Sequence, residues 1–340
     1  MITISLCMIV KNEEKILKRC LDSVADLVDE IVIVDTGSAD STKQIAAEYT
    51  QQVYDYVWRD DFSAARNFAF SKATKEYIYS ADADEVLDAE NRRRFLQLKA
   101  TLLPEVEIVQ MKYANQLQFS TVYNYDEEYR PKLFKRLRGF VWEAPIHETV
   151  RLMPVVYDSD IVICHLPEES HAGRDLANFY RHCQEGYRLP KRLHTMYARE
   201  LLMAGEKEDF FRASDFFTAS AEDGTRDSDE IAEACCVVAH AARLSGNTVQ
   251  FFKYTSKVLA EEANSEICFE MGCFYEAVGD FEEAAVWYYN AVYETRPILN
   301  LRAAGCDSLN GLIRCYEALG NPAQAEVYRE ELRRRTEENK

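Results

Sequence analysis

Three acidic segments hold the residue types and spacing that could do chemistry: MIVKNEE at residues 8–14, VDTGSADST at 34–42 and SADADE at 80–85. In the last of these, Asp82 and Asp84 place two carboxylates on either side of one alanine. Just past a strand, such a pair can hold a hard divalent cation and leave positions open for diphosphate oxygens. A cation held there neutralises a departing phosphate. Each segment taken alone has a structural alternative. Asp35 could open a turn, Glu13 could favour a helix N-terminus, and Asp82 and Asp84 could sit in a solvated loop. Taken together, those alternatives would gather acidic residues at one sheet edge for no structural gain.

The gathering depends on the elements that carry the segments. Ile2–Val10 reads as a first strand, and Glu13–Leu21, with Ile16, Leu17 and Leu21 on one stripe, as the helix that follows. Glu30–Val34 is a nearly continuous apolar run, the pattern of a strand buried on both faces, and it leads straight into Asp35. Ser41 is placed to cap the helix carrying Ile45 and Ala46. Gln52–Val57 and Tyr77–Ala81 read as further strands, with Phe62–Ala73 a helix between them. This alternation predicts a mostly parallel sheet flanked by helices, and in such sheets ligands bind at the carboxyl ends of the strands. All three acidic segments fall at such ends. Beyond Glu107 the pattern turns to alternating segments, Val106–Tyr113, Phe119–Tyr125 and Arg130–Lys135, predicted as antiparallel additions, with Ile161–Cys164 the last of them. Within this stretch Lys132, Lys135, Arg136 and Arg138 form a basic run that could face a diphosphate, an acidic acceptor or simply solvent.

Composition narrows the setting. With 47% hydrophobic and 29% charged residues over 340 positions, the chain is long enough for two cores. A formal net charge of -18 repels nucleic-acid backbones and anionic lipid, so a phosphate-bearing ligand needs local cations or a metal. Nucleic acid is excluded as a partner on this ground. The ten cysteines are scattered through apolar segments without metal-ligand spacing, the usage of a reduced cytoplasm. The first residues lack a signal-peptide pattern, and no stretch approaches the ~20 apolar residues of a membrane span.

After His165 the pattern becomes helical to the end. The turns around Gly205, Gly246, Gly279 and Gly320 are each flanked by helix-length segments with small residues at contact spacing. In the clearest unit Met271, Gly272 and Tyr275 precede Gly279, and Phe281, Ala284, Tyr288 and Ala291 follow. This resembles a degenerate tetratricopeptide (TPR) pattern, in which small residues permit close helix crossing and aromatics fill the adjoining holes. A plain helical bundle is the alternative. The predicted organisation is a sheet domain over 1–165, connecting helices over 166–204 and TPR-like helices over 205–340. Phe251, Phe252, Tyr288 and Tyr289 are candidates for contact with an extended peptide acceptor or a second copy of the chain, with most of them expected in the core.

The stretches SLCMIVKNEE, IVIVDTGSADST, DFSAARNFAF and ADADE, in this order over residues 1 to roughly 100, resemble the nucleotide-binding half of family 2 glycosyltransferases of the GT-A fold. The resemblance is to the branch with C-terminal TPR-like helices, which includes bacterial enzymes that glycosylate peptides or glycan cores. It implies that Val10, Glu13, Asp35 and Gly37 contact the nucleoside, with Asp35 reading the base edge. It places Asp82 near the diphosphate, Asp84 on a Mg²⁺ or Mn²⁺ cofactor, and Arg66 and Asn67 beside the nucleotide. For Arg66, a salt bridge or helix cap beneath the site is an equal alternative. The segment WEAPIHE resembles a later family motif, in which His147 is a candidate metal ligand and Glu148 the candidate general base, with Glu143 the alternative. His165 is a further residue that could reach a metal or simply pack. No QxxRW segment follows the acidic triplet, so the implied enzyme is non-processive. The expectation is an inverting, metal-dependent hexosyltransferase using a nucleoside-diphosphate sugar, UDP-sugar first, on a peptide, protein or glycan acceptor. A nucleotidyltransferase and a non-catalytic TPR scaffold are the competing readings; the first usually has a glycine-rich loop after its first strand, where this chain has MIVKNEE.

Overall fold

Alternation along the first strand sets the architecture of the N-terminal unit. In this computed structural model, which describes residues 1–114, 128–144, 149–150, 154–166 and 172–338, Ile4, Leu6, Met8 and Val10 enter one apolar core and Cys7 the other. A period of two sends successive side chains to opposite faces, so the strand must be covered on both. The chain runs β1 (Ile4–Val10), α1 (Leu17–Val24), β2 (Glu30–Asp35), α2 (Thr42–Ala47), β3 (Val53–Asp55), α3 (Phe62–Lys72), β4 (Tyr77–Ser80), β5 (Glu85–Val86), α4 (Ala89–Thr101), β6 (Ile108–Ala114), β7 (Glu128–Lys135), β8 (Trp142–Glu143), β9 (Thr149–Val150) and β10 (Val156–His165). Eight strands form one sheet in the order β3-β2-β1-β4-β7-β6-β10-β5. The first four are mutually parallel; β7 is antiparallel to both β4 and β6; β10 is parallel to β6 and antiparallel to β5. Leu17 and Leu21 of α1 and Phe95 of α4 pack into the first core, while Ala69 and Phe70 of α3 pack into the second with Trp142. This is the mixed, mostly parallel sheet expected of a GT-A domain.

Several local expectations are revised. Helix α1 begins four residues later than Glu13, because the Glu13 carbonyl accepts from Ile16 and Leu17 N–H in a preceding turn. Ser41 makes no capping bond; instead Asp40 Oδ1 accepts Thr42 N–H at 3.0 Å. Helix α4 has too sparse an apolar stripe to announce itself, yet Asp88 caps it by accepting Asn91 N–H at 2.8 Å, and Phe95 anchors it. The last strand is ten residues long and pairs parallel with β6, not antiparallel. Phe119–Tyr125 lies outside the described residues.

The contact pattern divides the chain into Met1–His171 and Ala172–Lys340. The second unit is all helical, with helices at Ala172–Gln184, Lys191–Ala204, Lys207–Glu222, Ser228–Ser245, Thr248–Leu259, Ser265–Ala277, Phe281–Tyr289, Cys306–Ala318 and Pro322–Glu338. The two helices predicted as a connector fall within this unit, where His194 meets Glu233 on a neighbouring helix at 3.0 Å. Tyr288 is fully buried between Gly272 and Gly311: a Cβ on either would stand 2.6 or 2.5 Å from its ring. That is the close crossing the repeat pattern predicts. Phe251 is buried too, so of the suggested contact aromatics only Phe252 and Tyr289 retain exposed surface. No described helix is long and apolar enough to cross a membrane.

Candidate active site

The strand order brings the three acidic segments to one edge. Val10 and Asp35 are register partners at the ends of β1 and β2, and β4 flanks β1 on its other side, ending at Ser80. Asp35 and Asp82 are thus about 10 Å apart in strand spacing, two strands at ~4.8 Å each. Asp35 Oδ1 accepts the N–H groups of Gly37 and Ser38, both at 3.0 Å, and Gly37 has φ 103, which its missing side chain permits. Asp35 is 1% exposed, and its Oδ2 has no hydrogen-bond partner among the described residues. Such an orphaned acceptor costs about 1–3 kcal/mol unless a ligand supplies the donor.

The loops after β1 and β2 brace each other. Asn12, at φ 56, donates its N–H to Ser38 Oγ at 2.9 Å and accepts Ala39 N–H at 2.8 Å. Glu13 is half-buried and its N–H donates to Thr42 Oγ1 at 2.7 Å. The rim beside Asp35 is therefore held by side chains from both segments.

Past β4, Arg66 on α3 reaches Ser80 Oγ at 2.6 Å and Asp82 Oδ1 at 3.4 Å. Burial would raise the Asp82 carboxyl, but Arg66 and Lys132 outweigh it and hold it below the ordinary range. Asp84 Oδ2 lies 3.0 Å from His165 Nε2. The pairing of β5 with β10 causes this meeting, since it sets His165 opposite Glu85 and lets Leu166 N–H donate to the Asp84 carbonyl at 2.9 Å. Tyr113 flanks the imidazole, ring centres 5.0 Å apart. Glu85 is 2% exposed and paired with the buried ammonium of Lys132. Burial lifts the Glu85 carboxyl to about 7 despite that cation, and its Oε2 has no described partner.

The basic run has partners inside the domain. Lys132 pairs with Glu85, Lys135 donates to the Pro104 carbonyl, Arg136 donates to the Lys75 carbonyl at 2.6 Å, and Arg138 pairs with Glu107 at 2.7 Å. Asn67 has both ends of its amide on the backbone of Trp142, not at the sheet edge. Glu143 is an exposed residue of β8; His147 and Glu148 lie outside the described residues. Sequence reasoning named Lys132 only within a basic run, and Ser80 and Trp142 only within longer motifs; it missed Tyr113 and the partners that all four make at the site. Their contacts join distant strands and leave no local spacing to read.

Asp84 and His165 supply one oxygen and one nitrogen ligand, with Asp82 beside them. No group of three or more ligating side chains converges among the described residues. Mg²⁺ is characteristically held by one or two carboxylates, its other positions filled by water and substrate phosphates, and Asp82 and Asp84 fit that pattern, while the imidazole of His165 would add a nitrogen donor suited to a softer ion.

Residues 5–156 match the family described as Glycosyl transferase family 2. A TPR repeat-containing protein of Synechococcus elongatus is 38% identical over 152 residues, 44% of this chain and 36% of that protein. The SPbeta prophage-derived glycosyltransferase SunS of Bacillus subtilis is 38% identical over 102 residues, 29% of this chain and 24% of that protein. The aligned stretches thus span well under half of these relatives' own lengths. The crystal structure of glucosyl-3-phosphoglycerate synthase from Mycobacterium tuberculosis with Mg²⁺ and UDP is 14% identical, covering 54% of this chain and 80% of that one at a TM-score of 0.38. At that score the likeness decides neither fold nor ligand.

Proposed function

We propose, for a chain whose residues 5–156 match glycosyl transferase family 2, that it transfers a sugar with inversion from a UDP-sugar to a peptide, protein or glycan acceptor. The observation that carries this reading is the shared edge. A buried Asp35 with one unengaged oxygen ends β2, two strands from β4, whose following loop carries Asp82 and Asp84, the separation of a base-reading group from a diphosphate-side group in one nucleotide.

In this reading Asp35 Oδ2 accepts an N–H of the base, with Val10, Glu13 and Gly37 lining the nucleoside. Asp84 and His165 hold Mg²⁺ or Mn²⁺, with His147 the alternative nitrogen ligand. When bound, the cation supplies charge neutralisation to the departing diphosphate. Arg66 orients Asp82 and adds positive charge on the same side. The acceptor oxygen attacks the anomeric carbon as the bond to the diphosphate oxygen breaks. Its proton passes to a carboxylate, Glu148 by preference and Glu143 otherwise. The helical unit is proposed to hold the acceptor or a second copy of the chain.

Calorimetric binding of UDP, GDP and CDP, each with and without Mn²⁺, tests the reading. UDP binding that tightens at least 10-fold with Mn²⁺ is expected. If none of the three binds under either condition, the transferase reading is wrong and a scaffold built on the helical unit replaces it.

A further inference from the structure

Asn67 and Arg66 are neighbours on α3, yet they serve two ends of one connection. A side-chain amide carries a donor and an acceptor, the same pair that a peptide unit presents. Asn67 Nδ2 donates to the Trp142 carbonyl at 3.0 Å, and Asn67 Oδ1 accepts the Trp142 N–H at 2.8 Å. The side chain therefore acts as a one-residue strand partner for β8. Arg66 lies with its guanidinium 4.8 Å from the Trp142 ring centre while also bonding Ser80 and Asp82. On its other sides the indole meets Phe70 and Phe134, with ring centres 5.7 and 5.3 Å away. One helix turn thus ties the acidic edge to the ribbon formed by β8 and β9.

What that ribbon carries gives the tie its meaning. Glu143 follows Trp142 directly, and Ala144 has φ 75, a left-handed backbone that a residue with a side chain keeps only where its surroundings impose it. We infer that Asn67 is a positioning residue for the transfer step: through the Trp142 backbone it sets the β8–β9 ribbon against the donor edge, and it touches neither donor nor acceptor. The inference rests on the transferase reading above. It reassigns Asn67 from nucleotide contact to alignment of β8, which carries Glu143.

The test compares full-length wild type, Asn67→Ala and Asn67→Asp by three measurements. These are UDP affinity with Mn²⁺, steady-state UDP release from a panel of UDP-sugars with water as acceptor, and amide hydrogen exchange over residues 140–144. Misplacement of a reacting group by an ångström can lower rate by ~100-fold, so kcat should fall about 10- to 100-fold in both variants. KM for the UDP-sugar and affinity for UDP should stay within about 2-fold, since donor binding is untouched. The Trp142 amide should exchange faster in Asn67→Ala, which loses both bonds, while the β1 and β2 amides stay protected, which separates loss of the tie from unfolding. Wild-type kcat in a folded Asn67→Ala overturns the inference, as does a parallel loss of UDP affinity, which would make Asn67 a donor contact. Wild-type protein that neither binds UDP nor releases it from a UDP-sugar overturns the transferase reading and this inference with it. Failure of the inference alone looks different: an active wild type and an equally active variant.

Discussion

In the helical unit Glu270 is buried and its oxygens meet His240 Nδ1 at 2.7 Å and Arg243 Nε at 2.5 Å, while the equally buried Glu266 accepts the N–H groups of Ile298, Leu299 and Asn300. In the sheet domain Asp35 and Glu85 are as deeply buried, yet each keeps one oxygen with no described partner. Burial exacts the same desolvation penalty in both places, so the difference lies in what offsets it. Fully engaged carboxylates tie helices together, and half-engaged ones mark where a ligand completes the set. The contrast offers a way to tell structural acid groups from ligand-binding ones without reference to any motif.

Substitutions at four positions probe that contrast, in decreasing order of expected effect. Glu270→Ala leaves His240 and Arg243 without their shared anion and should destabilise the helical unit by about 3–5 kcal/mol, read by urea unfolding, with UDP affinity unchanged. The same carboxyl has a pH signature. Burial alone would raise it, but His240 and Arg243 hold it at about 2 against an ordinary 4.5. Its folded value is the lower one, so its contribution is present above about pH 4.5 and is lost as pH falls toward 2, on the order of 3 kcal/mol. Glu270→Gln should flatten that acid slope; an unchanged slope would mean Glu270 is not the group responsible.

Asp84→Ala should act on the other side of the comparison, lowering turnover by ~100-fold or more and removing the Mn²⁺ dependence of UDP binding, with stability little changed. Metal-dependent affinity equal to wild type would take Asp84 out of the site. Asp35→Asn keeps an acceptor for Gly37 and Ser38 and exchanges Oδ2 for a donor. UDP should then bind about 10- to 100-fold more weakly, the worth of a charged hydrogen bond, in a titration at fixed Mn²⁺. Gly272→Ala is the smallest. Its methyl would enter the Tyr288 ring, and overpacking of this kind costs ~1–3 kcal/mol, visible in the melting temperature with donor binding intact.

The acidic edge was legible because its residues sit at strand ends, and strands announce themselves by apolar runs such as Ile31–Val34. The repeat was legible for a related reason: Gly272 beside Tyr288 has the residue type that close helix crossing requires, and Gly279 the one that a left-handed turn between helices requires. Three features were not legible. Lys132 looked like surface charge, since nothing near it in sequence hints at Glu85, 47 positions away. Asn67 stood beside Arg66 in a motif, so proximity suggested a shared ligand, whereas side-chain direction sends its amide to Trp142. Helix α4 combines a charged sequence with few apolar anchors, and tertiary packing on Phe95 decides its state.

The Asp84–His165 contact has a temporal side as well, for the two residues are 81 positions apart and meet only when β5 pairs with the end of β10. Closing a loop of that length is an entropic debt settled late, after the local strand–helix units have formed. The first four parallel strands, complete at Ser80, can therefore pair before His165 reaches Asp84. If the proposed roles hold, the residues assigned to the base would come together in the growing chain before those assigned to the cation.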